Sequence, residues 1–159
     1  MADTRKAQTC LWFKQDAEEA AAFYVSLLPE SRIDSFYQLD PGLPPHLVEF
    51  TLAGTPYLAL NGGPDHALSP AISIAVRTSD QAETDRLWHA LIAEGGEPGQ
   101  CGWLVDRWGV SWQITPQRLI DLVYNDDREG SDRVRAAMAD MGKIEIADIE
   151  ALFAGRKAR

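Results

Sequence analysis

The chain is short of the groups from which most recognisable sites are built. Its 159 residues include two cysteines and three histidines. Cys10 and Cys101 stand far apart, with no Cys-x-x-Cys and no Cys/His spacing. That argues against a disulfide framework or an ordinary zinc site and fits reduced thiols. Basic residues are outnumbered, 15 Lys and Arg against 24 Asp and Glu, for a formal net charge of -9. Such a charge repels phosphate backbones and anionic lipid, so neither nucleic acid nor a membrane is expected as a partner. No apolar run approaches the ~20 residues of a membrane helix. The first ten residues lack the apolar core of a signal peptide, so the expected location is the cytoplasm. Glycine is missing where a cofactor loop would need it, because the first strand-like run leads into Lys14-Gln-Asp16. Leu60-Asn-Gly-Gly63 and Glu94-Gly-Gly-Glu97 are too short and wrongly placed to cradle a nucleotide.

What is present is enough for one compact unit, with 45% hydrophobic and 25% charged residues. The strongest pattern is a repeat. Asp16-Ala-Glu-Glu19 opens an apolar-periodic segment (Ala20, Phe23, Tyr24, Leu27) that stops at Pro29, with Asp16 as N-cap and Glu19 as its reciprocal partner. Asp80-Gln-Ala-Glu83 opens a second (Leu87, Trp88, Leu91, Ile92) that ends at Gly95-Gly96. Five pairs, Asp16/Asp80, Glu19/Glu83, Phe23/Leu87, Tyr24/Trp88 and Leu27/Leu91, each stand 64 residues apart. A constant offset through caps and apolar positions predicts a duplicated supersecondary unit.

Each helix follows a strand-like run, Thr9 to Phe13 and Ala71 to Val76. After the first helix the pattern gives strands at Arg32 to Gln38, Leu47 to Leu52 and Thr55 to Leu60, with a Pro-rich turn at 41–45 and Ala53-Gly54 as a hairpin turn. After the second it gives shorter strands at Gly99 to Cys101, Trp103 to Asp106 and Val110 to Thr115. The fold class is therefore α+β: two βαβββ modules, 8–61 and 71–115, within a paired region 1–116, building a cupped mixed sheet. Residues 117–159 read as a helical tail with Pro116 at the first helical position and further helices at Asp132 to Met141 and Ile146 to Phe153. Too thinly apolar to stand alone, the tail is expected to pack on the repeats or on a second subunit.

Strand alternation assigns faces. One side carries Thr9, Leu11 and Phe13, Tyr57, Ala59 and Asn61, Ser73, Ala75 and Arg77, and Ser111, Gln113 and Thr115. The other carries Cys10, Trp12, Leu58, Leu60, Ile72, Ile74, Val76, Val110, Trp112 and Ile114, and is expected to lie under the helices. The first side, mixing aromatics with polar groups, is the expected binding surface.

Asp16…Phe23-Tyr24, Leu58-Ala-Leu-Asn-Gly-Gly-Pro64, and Gly99-Gln-Cys-Gly-Trp103 running on through Asp106-Arg-Trp-Gly-Val-Ser-Trp-Gln-Ile-Thr-Pro116 resemble the vicinal-oxygen-chelate superfamily. This is the superfamily of glyoxalases, bleomycin-resistance proteins and dihydroxybiphenyl dioxygenases. Within it the motifs are similar to the PhnB-like branch, often labelled 3-demethylubiquinone-9 3-methyltransferase, and the resemblance covers nearly the whole chain, tail included. It implies a cupped sheet in a homodimer and, in the wider superfamily, a divalent metal held by His or Glu at four strand positions. Those positions correspond here to Thr9, Asn61, Ser73 and Gln113. Neutral hydroxyls and amides are poor ligands for such metals, so neither a metal nor another cofactor is expected. Lyase, isomerase and dioxygenase chemistry lose their usual support.

The candidate ligand-binding residues are Thr9, Phe13, Tyr57, Asn61, Ser73, Arg77, Trp103 and Gln113. Glu49 is the candidate catalytic residue. Its neighbours Val48 and Phe50 lie on the apolar face, which points Glu49 toward the cup as a general base, or into an ion pair with Arg77, or to a solvated rim. Cys101 has no neighbouring base, Cys10 reads as core, and His46, His66 and His89 show no ligand spacing. Trp103 and Trp108 fit a pocket cap and a core position equally. The expected function is binding of a small organic molecule. The alternative is an enzyme acting on a small oxygenated or aromatic compound with Glu49 as base; methyl transfer has no cofactor loop to support it.

Overall fold

The structure, a computed structural model, describes residues 6–156. The chain divides into two compact units, residues 1–68 and 69–159. Within the first, β1 (Thr9–Phe13), α1 (Ala17–Leu27), β2 (Arg32–Tyr37), β3 (Leu47–Leu52) and β4 (Thr55–Asn61) follow in order. They form a four-stranded sheet in the order β1-β4-β3-β2, with β1 parallel to β4 and the other pairs antiparallel.

The second unit repeats this plan with β5 (Ile74–Thr78), α2 (Gln81–Ile92), β6 (Glu97–Pro98), β7 (Trp103–Val105) and β8 (Ser111–Pro116). Its sheet order is β5-β8-β7-β6, again with the first and last strands of the module parallel. Both modules are therefore βαβββ, as the repeat predicts. The strand-like run at Ala71 begins pairing only at Ile74, and Gly99 to Cys101 is a turn rather than a strand.

The two helices start differently. At α2 Asp80 caps as expected, its Oδ1 accepting the Glu83 N–H at 2.8 Å. Glu83 reaches back one residue further than a capping box requires, accepting the Ser79 N–H and hydroxyl at 2.8 and 2.9 Å. At α1, Asp16 occupies the cap position without a side-chain cap bond. Asn61 substitutes for it from the end of β4, its Oδ1 accepting the Ala17 N–H at 2.9 Å. α1 ends because Leu28 precedes Pro29 and is driven into extended backbone.

The core of the first unit lies between α1 and its sheet. Ala17, Ala20, Ala21, Tyr24 and Leu27 bury one helical stripe against Leu11, Phe13, Val48, Phe50 and Ala59. The small alanines let the helix lie close, and Tyr24 meets Phe50, which in turn stacks on Tyr57 with ring centres 5.3 Å apart. In the second unit, Leu87, Trp88 and Leu91 of α2 are buried, as are Ile74, Val76, Leu104, Trp112 and Ile114 of its sheet.

The tail forms α3 (Gln117–Val123), α4 (Arg128–Met138) and α5 (Ile146–Phe153). Pro116 closes β8 instead of opening α3. α4 begins four residues before its predicted start because Asp127 caps it, accepting the Gly130 N–H at 3.1 Å. Gly130 sits inside the helix, where the Phe153 ring leaves no room for a Cβ. The tail is less thinly apolar than it reads: Leu119, Leu122, Val123, Val134, Ile144 and Ile149 form a buried cluster of their own. It also joins the second module, since Cys101 and Gly102 donate their N–H groups to the carbonyls of Met141 and Gly142.

Candidate functional site

Register and burial identify the face of each sheet that its own helix leaves open. In the second sheet, Ile74, Val76, Thr78, Leu104, Trp112 and Ile114 are buried, and they alternate with Ala75, Arg77, Trp103, Gln113 and Thr115 on the opposite side. This is the predicted assignment. In the first sheet the assignment is reversed. Leu11 and Phe13 are buried, whereas Cys10 is exposed and Trp12 half-buried. Thr9, Phe13, Tyr57 and Asn61 consequently share the α1 side, and the open side carries Cys10, Leu58 and Glu49 in one row and Trp12, Leu60, Leu47 and Tyr37 in the next.

The reversal has a local cause. Three residues, 14–16, join β1 to α1, but only two, 79–80, join β5 to α2. The 64-residue offset therefore holds for the helices and becomes 65 in the preceding strands, so that Leu11 corresponds to Val76 and Phe13 to Thr78. A slip of one residue moves every side chain to the other face.

The predicted residues thus separate. Phe13 is core. Tyr57 is half-buried on the α1 side, and burial pushes its hydroxyl pKa up. Asn61 is used at both ends of its amide, capping α1 and donating from Nδ2 to the Pro45 carbonyl at 2.7 Å. Ser73, Arg77, Trp103 and Gln113 do come together on the open face of the second sheet. Gln113 Nε2 donates to Ser73 Oγ at 2.8 Å, and Trp103 is the register partner of Gln113. Arg77 donates to Gln117 Oε1 at 3.3 Å. In line with Gln113, two residues earlier on β8, Ser111 is buried, and its hydroxyl has no hydrogen-bond partner among the described residues. Sequence reading grouped Ser111 with this face but had no means of marking it as unpartnered.

Glu49 points to the open side of the first sheet, opposite Thr9, Tyr57 and Asn61, half-buried, and accepts the Tyr37 hydroxyl at 3.2 Å. Tyr37 was not foreseen as its partner; the antiparallel β2/β3 register places it within reach. Cys10, read as core, is on this open face, and partial desolvation raises its thiol pKa, as it does that of Cys101. Neither is an activated nucleophile. Trp12, also read as core, is held under the Gly62-Gly63 turn: its Nε1 donates to the Gly63 carbonyl at 2.9 Å, and a Cβ on Gly62 would fall 2.3 Å from its ring. His66 meets the same indole edge-on at 4.7 Å.

The residues at the superfamily's metal positions do not fit a metal. Thr9 and Asn61 lie on the α1 side, both amide atoms of Asn61 are engaged, and none of the four supplies a charged or imidazole donor. Among the described residues no three His, Cys, Asp or Glu side chains are grouped to hold an ion. No described helix is long and apolar enough to cross a membrane.

Two βαβββ modules of this topology define the glyoxalase-like fold of the vicinal-oxygen-chelate superfamily. The FosX fosfomycin resistance protein of Mesorhizobium loti, 12% identical, shares it with a TM-score of 0.50 over 71% of this chain and 91% of its own. The chain belongs to the 3-demethylubiquinone-9 3-methyltransferase family, the PhnB-like branch, whose model matches residues 5–115. The PhnB protein of Bacillus cereus, provisionally described as a 3-demethylubiquinone-9 3-methyltransferase, is 32% identical, with a TM-score of 0.62 over 70% of this chain and 99% of its own. Protein PA1353 of Pseudomonas aeruginosa, 20% identical, gives 0.58 over 71% and 98%. No curated protein matches the chain. Contrary to the reach of the sequence resemblance, the family match stops at the end of β8 and leaves the helical tail outside.

Proposed function

We propose that this protein binds a small, oxygenated or aromatic organic molecule through the open face of its second sheet, without the metal used elsewhere in the superfamily. The observation that carries this reading is the buried, unpartnered hydroxyl of Ser111 in line with Gln113. A buried hydroxyl left unmade costs about 1–3 kcal/mol, and such groups call for an explanation. A ligand oxygen that displaced the side chains covering Ser111 would satisfy it, with the Gln113 amide and Trp103 beside it and Arg77 at the exposed end. Neutral donors and one cation suit a polar or weakly anionic compound better than a metal chelate.

A catalytic version of the reading rests on Glu49, whose carboxylate the Tyr37 hydroxyl orients on the open side of the first sheet. There Glu49 would take a proton from a molecule bound on that side of the first sheet. Methyl transfer from a nucleotide-bearing donor has no support in the Lys14-Gln-Asp16 link, which contains no glycine. The working form we propose is a homodimer.

Thermal-shift screening of small phenols, hydroxy acids and quinones, followed by calorimetry, tests the binding reading. The expected result is a ligand whose affinity is unaffected by EDTA and falls about tenfold or more in Ser111→Ala and Gln113→Leu, the loss of one good hydrogen bond to a buried group. Affinity abolished by EDTA, or unchanged in both variants, would overturn it. Glu49→Gln separates binding from catalysis, because turnover collapses while pure binding survives.

A further inference from the structure

A further cavity lies in the first unit, at the loop between β2 and β3. This loop and the link from β1 to α1 border an open cleft of about 360 Å³. The loop's anchors are firm: His46 N–H donates to the Tyr37 carbonyl at 2.8 Å, Asn61 N–H to the His46 carbonyl at 2.9 Å, and Asn61 Nδ2 to the Pro45 carbonyl at 2.7 Å. Within the loop, Gln38 Nε2 donates to the Leu43 carbonyl at 3.0 Å. The volume lies at the small end of the ~300–1,000 Å³ typical of ligand pockets.

The lining combines three kinds of group. Leu39, Leu43, Pro44 and Pro45 supply an apolar wall, and Lys14 and Asp40 supply one charge of each sign. Leu39 and Leu43 are 75% and 58% exposed, large apolar side chains left in water beside the cavity. Lys14 and Asp40 line the same space, yet neither side chain is paired with the other or with any other described group. Opposite charges that share a cavity without meeting suit a ligand that itself carries both signs, with its body against the apolar wall. A simple anion would meet Asp40 and a simple cation Lys14, so each would face one repulsive contact.

We propose that this cavity binds a small zwitterion with an apolar side chain, an α-amino acid of aromatic or branched type. Its carboxylate lies toward Lys14 and its ammonium toward Asp40. The site is independent of the open face of the second sheet, and no bond is made or broken in it.

Calorimetry with L-phenylalanine, phenethylamine and 3-phenylpropionate tests the assignment, since the three share one ring and differ only in charge. Phenylalanine is expected to bind about tenfold or more tightly than either truncated compound, as expected for loss of a charge-assisted contact. Lys14→Met should erase its advantage over phenethylamine, Asp40→Asn its advantage over phenylpropionate, and Gln113→Leu should change neither. Both charged positions are exposed, and circular dichroism with thermal melting checks that the variants remain folded. Equal affinities for the three compounds, no heat from any of them in the millimolar range, or binding indifferent to both charge variants would overturn the proposal.

Discussion

The Asp106 carboxylate accepts the indole N–H of Trp112 at 2.9 Å from the far side of the β7–β8 turn. Its other oxygen accepts the N–H groups of Trp108 and Val110 at 2.9 and 3.0 Å. One buried acid thereby closes the turn and fixes the ring of the largest fully buried side chain among the described residues. The Asp106-to-Pro116 motif that carries the family resemblance is, at its first residue, a folding device. Asp106→Ala leaves a buried indole donor and two turn amides unmatched, and is expected to cost about 3 kcal/mol. Urea unfolding followed by tryptophan fluorescence measures it; a loss under about 1 kcal/mol would mean the turn closes without the carboxylate.

Ala53 and Gly54 turn the β3–β4 hairpin with φ of 45° and 78°. Leu52 and Thr55 pair across them, so this is a two-residue loop with both residues left-handed. Glycine suits such a position and alanine does not, because its Cβ crowds the backbone. Ala53→Gly is expected to raise stability by about 0.5–1 kcal/mol, with relief of strain outweighing the added freedom of the unfolded chain. A lower melting temperature in Ala53→Gly would contradict this account.

The modules and their order were legible because caps and apolar stripes of helices repeat at a fixed distance. β3 matches its sequence reading to the residue, since alternation and a two-residue turn bound it. The faces of β1 were not legible, because the linker before α1 is one residue longer than its counterpart, and periodicity is blind to where a register begins. The site divided for the same reason: Ser73, Arg77, Trp103 and Gln113 lie together, whereas Thr9, Phe13, Tyr57 and Asn61 turned to the helix. Ser111 and the Tyr37–Glu49 pair depend on which side chains find partners, which no spacing encodes.

That reversal is measurable. Leu11 is 2% exposed beneath α1, whereas Cys10 is exposed on the other side. Leu11→Ala is expected to cost about 3 kcal/mol through lost burial and a residual cavity, whereas Cys10→Ala should cost less than about 1 kcal/mol. Parallel denaturant titrations decide it, and the opposite ranking would restore the sequence-derived faces.

Lys143 ties the tail to α2. Its Nζ binds the carboxylate of Asp85 and, at 2.9 Å, that of Glu145. Gln81 adds to the clamp from the same helix, donating to the Ile144 carbonyl at 3.3 Å and accepting the Ile146 N–H at 2.7 Å. The hydrogen bond from Lys143, then that from Gln81, lowers the Asp85 pKa below 3.8. Desolvation pulls the Lys143 pKa down, but the bonds to Asp85 and Glu145 outweigh it and raise the pKa above 10.5. Asp85 is depressed on folding, so its contribution is present above its ordinary pKa and is lost as pH falls through the folded value. Lys143 is raised, so its contribution is complete below 10.5 and is lost as pH rises through its folded value. Lys143→Met should therefore lower the urea midpoint across the neutral range, with the difference from the parent shrinking at both extremes of pH. A difference that stayed constant into acid would show that packing of the lysine stem, and not its charge, holds the tail.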